Sequence, residues 1–185
     1  EVFLNFVFIN LDRDARSLKS QTGTLEDEVR GFLPELDKLT FAHRTPYDLK
    51  ANWKNVIENF NECYHCPLIH PTLSNDILQM DSYRIVTHDI HLSHLIRAKP
   101  PDEGAYAFYP EVSEHGQELG AWWLWPNIAF EVYPGGYLNT FHVMPAGPER
   151  SVKYLDFYLF DKTPTEEQQK VIDYRNATVE LEDVA

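Results

Sequence analysis

The chain has 185 residues and a formal net charge of −13, from 29 acidic and 16 basic side chains. That balance disfavours nucleic acid, whose phosphates it would repel, and is permissive of a cationic substrate. Hydrophobic residues at 43% and aromatics at 14% describe one folded domain with a real core, and no apolar run approaches the roughly 20 residues of a membrane span.

In chain order, residues 2–11 are rich in Val, Phe and Ile and read as one buried strand. Residues 12–24 are polar and read as a loop or short turn. Thr24 is placed to cap a short helix with Glu26, Asp27 and Glu28 in its first turn, ending before Pro34. Residues 38–53 read as strand segments entering a helix from about Lys54.

That helix leads to the most informative stretch, Asn52 to Leu73. Glu62 stands three before His65, and His70 follows five after it. On an unbroken helix five residues turn through about 500°, which would point the two rings about 140° apart. Pro67 lies between them and is expected to break the helix near Cys66, so that both imidazoles converge. Glu62 and His65 then share a helical face. Two imidazoles suit iron, zinc, copper or nickel, and a carboxylate completing the set points to non-haem Fe(II) with open positions. Two structural histidines at a helix end are the plainer alternative. The only two cysteines, Cys63 and Cys66, lie inside this motif. They make no disulfide framework, and with no signal-peptide pattern they fit a reducing cytoplasm.

Beyond the motif, Tyr83 to Arg97 reads as one or two strands. On a strand His88 and His94 face one way and His91 the other, so a three-histidine site is not expected. Residues 99–120 read as a long loop and a candidate lid. Three strand-like runs follow, 121–133, 137–145 and 151–160, separated by Pro134-Gly135-Gly136 and Ala146-Gly147-Pro148, and together they read as an antiparallel meander. Thr163 is placed as N-cap of a last helix, with Pro164 at N1 and Glu166 at N3, running to the C-terminus. Taken alone, the acids in Val179 to Ala185 read as a solvated face.

Ala51-Asn-Trp-Lys, Glu58-Asn-Phe, Glu62-Cys-Tyr-His-Cys-Pro and His70-Pro closely resemble the iron-site motif of Rieske non-haem iron oxygenase α subunits. The Cys-Pro version is most similar to the branch acting on quaternary ammonium compounds: glycine betaine, choline, carnitine and proline betaine. The resemblance implies His65, His70 and Asp183 as ligands of a mononuclear Fe(II), with Asp183 drawn from a Glu-Asp pair on the last helix. It implies Glu62, where many members carry aspartate, as the bridge toward the Rieske cluster of a neighbouring subunit. The family's two separated cluster-binding knuckles are absent here. The [2Fe-2S] cluster is therefore expected in a part of the subunit not present, with residues 1–11 the strand closing that domain and 12–185 a catalytic domain truncated at its C-terminus. Electrons would come from NAD(P)H through a separate reductase, and the assembly would be a cytoplasmic homotrimer with no nucleic-acid or membrane partner.

The fold so implied is α+β of helix-grip type, a curved antiparallel sheet around a long C-terminal helix. The activity implied is dioxygen-dependent hydroxylation or N-demethylation of a small quaternary ammonium substrate. Such a cation is held over aromatic faces. The candidates are Trp123, Trp125, Phe130, Tyr137 and Phe141, of which strand alternation lets only about half face a pocket. Three other readings remain beside this one: an aromatic-ring hydroxylating dioxygenase, a metal-free helix-grip ligand-binding module, and a zinc hydrolase with Glu62 as general base.

Overall fold

The computed structural model describes residues 1–100, 115, 117–133 and 136–182, the last stretch without the side chain of Leu181. The expected α+β architecture is present. Its centre is a seven-stranded antiparallel sheet in the order β3-β9-β8-β7-β6-β5-β4. The strands are β3 (Thr40–Leu49), β4 (Arg84–Thr87), β5 (His91–Arg97), β6 (Glu118–Leu124), β7 (Ile128–Tyr133), β8 (Tyr137–Gly147) and β9 (Arg150–Leu159). Strands β4 to β9 follow one another across the sheet, and β3 closes its edge beside β9. Pro46 lies in β3, at an edge where a missing N–H can face away from the ladder.

The expected strand over 2–11 is instead a hairpin of β1 (Val2–Phe3) and β2 (Phe6–Val7). Leu4 and Asn5 between them both take positive φ, 49° and 68°, as a two-residue turn of right-handed twist requires. Leu4 is fully buried in the core, and that burial offsets its unfavourable backbone. The run over 121–133 divides into β6 and β7 at Trp125-Pro126-Asn127, so the three expected runs make four strands. Most of the loop read over 99–120, with its candidate lid, lies outside the described residues, as does most of the Pro134-Gly135-Gly136 turn.

Each face of the sheet carries a different layer. Even-numbered Trp122, Leu124, Phe130, Val132 and Leu138 pack against the β1–β2 hairpin and α2 (Leu25–Phe32), which presents Leu25, Val29 and Phe32 at helical spacing. A Cβ on Gly120 would come within 2.2 Å of the Trp122 ring, so only glycine lets that indole lie flat on its own strand. Odd-numbered Ala129, Phe141 and Val143 pack under α3 (Trp53–Phe60), whose Trp53, Val56, Ile57 and Phe60 repeat at i, i+3, i+4, i+7. Asn52 caps α3, its side chain accepting from the Lys54 N–H at 3.0 Å.

A short α1 (Leu18–Gln21) falls in the expected polar stretch. The last helix starts two residues later than Thr163. Thr165 is the cap, and its partner is Gln168: each side chain accepts from the other's backbone N–H. The sequence holds two overlapping capping boxes, and the later one places Glu166 and Glu167 together in the first turn, where the helix dipole favours them. Nor is this helix continuous. α5 (Glu166–Ala177) ends at Thr178, whose ψ of −92° leaves helical geometry, and α6 (Val179–Glu182) resumes after it. Ile172 of α5 packs on Leu155, Phe157 and Leu159, and Val179 packs near Tyr133. The C-terminal helices thus lie on the same face of the sheet as α3.

Candidate metal centre

The local fold of the histidine motif differs from the expectation in a way that explains how it works. α3 stops at Phe60, not near Cys66, and a non-helical turn covers 61–65. Glu62 and His65 are therefore paired by this turn and not by a helical face. Pro67 does not break a helix; it lies in the first turn of a new one, α4 (Cys66–Ile69), where its missing N–H is not needed. His65 precedes α4 and His70 follows it, so one short rigid turn sets the distance between the rings. Cys63 and Cys66 are joined in a disulfide, against the expectation of no such bond. The turn holds their Cα atoms 4.9 Å apart, within bonding range.

The two Nε2 atoms face each other at 3.2 Å. Each Nδ1 is held by a carboxylate: His65 by Glu62, and His70 by Glu182 at 3.2 Å. A carboxylate only accepts, so Nδ1 carries the hydrogen and Nε2 is left as a lone pair on both rings. Two lone pairs at that distance repel unless a cation lies between them. Two nitrogens on one ion at about 2.1 Å stand about 3.0–3.4 Å apart at ligand angles near 90–110°, so the observed pair fits a single shared metal. The third ligand expected from Asp183 lies outside the described residues. Its neighbour Glu182 brings that end of the chain against His70.

Glu182 was not singled out from the sequence, being one acid among several on a surface-like segment 112 residues from His70. Its other oxygen accepts from the Thr72 hydroxyl at 2.8 Å, which fixes the carboxylate and through it the ring. Glu182→Ala is expected to weaken iron binding about 10–100-fold while leaving the fold intact. Anaerobic Fe(II) titration would measure this, and an unchanged affinity would make the contact incidental.

A cavity of about 570 Å³ opens below the two histidines, between the odd-numbered face of the sheet, α3 and α5–α6. Of the five aromatics proposed to line it, only Phe141 does, joined by Phe60, Tyr83 and Tyr133. Phe130 points to the opposite face and is fully buried there. Trp123 and Trp125 pack edge to face beside Trp53, and Trp125 is 59% exposed. Tyr137 stacks on Tyr133 behind the wall. Side chains alternate along the strands as expected, but which parity faces the cavity is a tertiary matter.

One wall of the cavity is a buried ion network. Arg175 donates through Nη2 to Glu131 at 3.0 Å and through Nε to Glu180 at 3.0 Å, and Lys153 donates to the other oxygen of Glu180. All four residues are at most 7% exposed. Burial pushes the Glu131 carboxyl up. Burial also works against the charge of Arg175, but Glu131 and Glu180 outweigh it and hold the guanidinium charged. Lys153 and Arg175 lie over the Phe141 and Tyr133 rings, 4.7 and 4.9 Å from their centroids.

His94 also lines the cavity, hydrogen-bonded through Nδ1 to the Tyr83 hydroxyl at 2.7 Å. Burial pushes His94 down to about 4 from the ordinary 6.5. The unfolded chain therefore binds the extra proton between these values and the folded chain does not. The stability this contributes is complete above pH 6.5 and is lost as pH falls toward 4. The loss attributable to His94 is about 3 kcal/mol. Urea unfolding at pH 7 and at pH 4 should show a stability difference smaller by about that amount in His94→Gln; an identical difference would exclude His94 as its source.

Comparisons with known proteins bear on the family and the fold. Residues 36–185 match the family described as ring hydroxylating alpha subunit (catalytic domain). The carnitine monooxygenase oxygenase subunit of Escherichia coli (strain K12) is 31% identical over 186 residues, covering all of this chain and 48% of that protein. Choline monooxygenase of Amaranthus tricolor is 27% identical over 163 residues, covering 83% of this chain and 34% of that protein. Among solved structures, the quaternary ammonium Rieske monooxygenase CntA in complex with an inhibitor superposes with a TM-score of 0.84 at 25% identity, again over all of this chain and 48% of that one. The chain thus spans about half the length or less of the curated relatives it matches.

Proposed function

The chain belongs to the ring-hydroxylating α-subunit (catalytic domain) family, and from that premise we propose that it is the oxygen-activating part of a Rieske monooxygenase for a small quaternary ammonium compound. The observation that carries this is the convergence of His65 Nε2 and His70 Nε2 at 3.2 Å above an aromatic-lined cavity. Iron bound by His65, His70 and Asp183 would supply the activation of dioxygen for oxidation of a substrate C–H bond.

The residues around the centre have distinct tasks. Glu62 and Glu182 keep both histidines in the tautomer that offers Nε2 to the metal. Glu62, its side chain 46% exposed, is also the outward route by which electrons from a neighbouring subunit's cluster would arrive. Phe60, Tyr83, Tyr133 and Phe141 offer the apolar and quadrupolar surface that a quaternary ammonium group needs. The network of Glu131, Lys153, Glu180 and Arg175 pairs two anions with two cations, so it neither repels a cationic substrate strongly nor traps it as a buried salt bridge.

Hydroxylating a carbon bonded to the cationic nitrogen gives a carbinolamine that splits at the C–N bond. A methyl carbon leaves as formaldehyde, and a chain carbon leaves as an aldehyde with release of the tertiary amine. The [2Fe-2S] cluster would lie in a part of the subunit outside this chain, with NAD(P)H and a reductase as electron source, and the whole would work as a cytoplasmic trimer. Among the described residues no helix is long and apolar enough to cross a membrane. The test is to incubate the intact oxygenase with its reductase and NADH, offering carnitine, choline and glycine betaine beside naphthalene. Formaldehyde or tertiary amine from a betaine supports the proposal. Diol from the arene with no product from any betaine would replace it with the arene dioxygenase reading, and zinc-supported turnover without dioxygen would replace it with the hydrolase.

A further inference from the structure

The even-numbered face of the sheet holds a second pair of histidines, away from the cavity. His88 closes the β4–β5 turn, its N–H donating to the His91 carbonyl at 3.0 Å. The two rings stack with centroids 3.9 Å apart and planes 7° from parallel. The strand alternation expected from the sequence had put His88 and His91 on opposite sides; the turn brings them together. Glu28 of α2 stands beside them, its Oε1 3.7 Å from His88 Nε2. One donor atom from each of the three residues lies within 4.8 Å of the other two.

Three nitrogen atoms of this cluster ask for a ligand. His91 is 2% exposed, and neither of its ring nitrogens has a hydrogen-bond partner among the described residues. His88 Nε2 is buried and also without one. Buried polar atoms left without a partner destabilise the fold until a ligand satisfies them. Glu28, in contrast, is well supplied. Ser93 Oγ and Trp122 Nε1 donate to its Oε2 at 2.6 and 2.9 Å, and Thr24 Oγ1 donates to Oε1. These donors hold the Glu28 carboxylate in place beside the two rings. A neutral His91 ring always keeps one nitrogen lone pair, and here no described group takes it up. Among the described residues Oε1 has a single hydrogen-bond donor, Thr24, and so keeps a lone pair on the side of His88.

We propose that Glu28, His88 and His91 form a second metal site, for a divalent ion of the zinc class, tying α2 to the β4–β5 turn. Two imidazoles and one carboxylate suit zinc, cobalt or nickel, whereas calcium and magnesium would demand oxygen ligands throughout. Two ligands on one ion at about 2.1 Å lie no more than about 4.2 Å apart, so the cluster closes by a few tenths of an ångström on binding. Parallel rings cannot both aim at one ion. His88, with its side chain 27% exposed, is the ring free to turn, while His91 stays fixed in the core. Water completes the coordination.

The test uses the intact protein carrying His65→Ala and His70→Ala, so that the first centre takes no ion. Calorimetric titration with Zn²⁺ is expected to show one equivalent bound, and Zn²⁺ to raise the melting temperature. Adding His88→Ala or Glu28→Gln should weaken binding at least about 100-fold, since loss of a mere supporting partner already costs 10–100-fold. His88 is chosen because His91 is too deep to remove without disturbing the core; circular dichroism checks that the variants fold. No Zn²⁺ uptake by the His65→Ala/His70→Ala protein, or an affinity unmoved by His88→Ala and Glu28→Gln, would overturn the site.

Discussion

His70→Ala is expected to leave a folded protein without catalytic iron and with turnover reduced about 10³-fold or more. The ring is 3% exposed and held from two sides: by Glu182 and by its place at the end of α4. Removing even a supporting partner of a metal-bound histidine costs about 10–100-fold in affinity, and removing the histidine itself removes one of the donors outright. His65→Ala should behave alike, because a single imidazole cannot retain the ion against solvent. Iron content after anaerobic reconstitution, read beside circular dichroism, separates loss of metal from loss of fold. Stoichiometric iron in both variants would end the assignment of this pair as ligands, and with it the proposed chemistry.

Arg175→Met is expected to destabilise the protein by about 3–5 kcal/mol, because it leaves Glu131 and part of Glu180 as buried anions without their partner. For a chain of this size each kcal/mol moves the melting temperature about 2–4 °C, so the fall is on the order of 10 °C. Glu131 already sits above its usual range because it is buried, and in the variant it can take a proton to relieve the strain. Adding Glu131→Gln to Arg175→Met should therefore recover part of the loss, a non-additivity that marks two groups in one network. Denaturant unfolding of the four proteins of this cycle measures it. A loss below about 1 kcal/mol for Arg175→Met would mean that the network is solvated and not a structural member of the cavity wall.

The motif was legible because its chemistry is local. Glu62, His65 and His70 lie within nine residues, and one short turn decides their geometry. The meander was legible because hydrophobic runs alternate with Gly and Pro turns. Errors fell where two local signals competed. Pro67 is compatible with ending one helix or beginning another, and Thr163 and Thr165 each open a capping box. Leu4-Asn5 carries no glycine to announce a hairpin, and only the burial of Leu4 makes that turn worthwhile.

By itself, then, the sequence determined the candidate histidine pair, the family and the succession of strands, since each depends on residues near one another along the chain. The tertiary structure alone decided what requires distant segments to meet. Glu182 reaches His70 across 112 residues, Lys153 finds Glu180, and Glu28 of a helix comes to rest on His88 and His91 of a hairpin. The same holds for the aromatics. Strand pleating says that Phe130 and Phe141 lie on opposite faces, but only the packing of α3 over one face and α2 over the other says which face encloses the cavity. A buried charge or ring is stable only against a specific partner, and for those residues the partner is given by the fold, not by spacing.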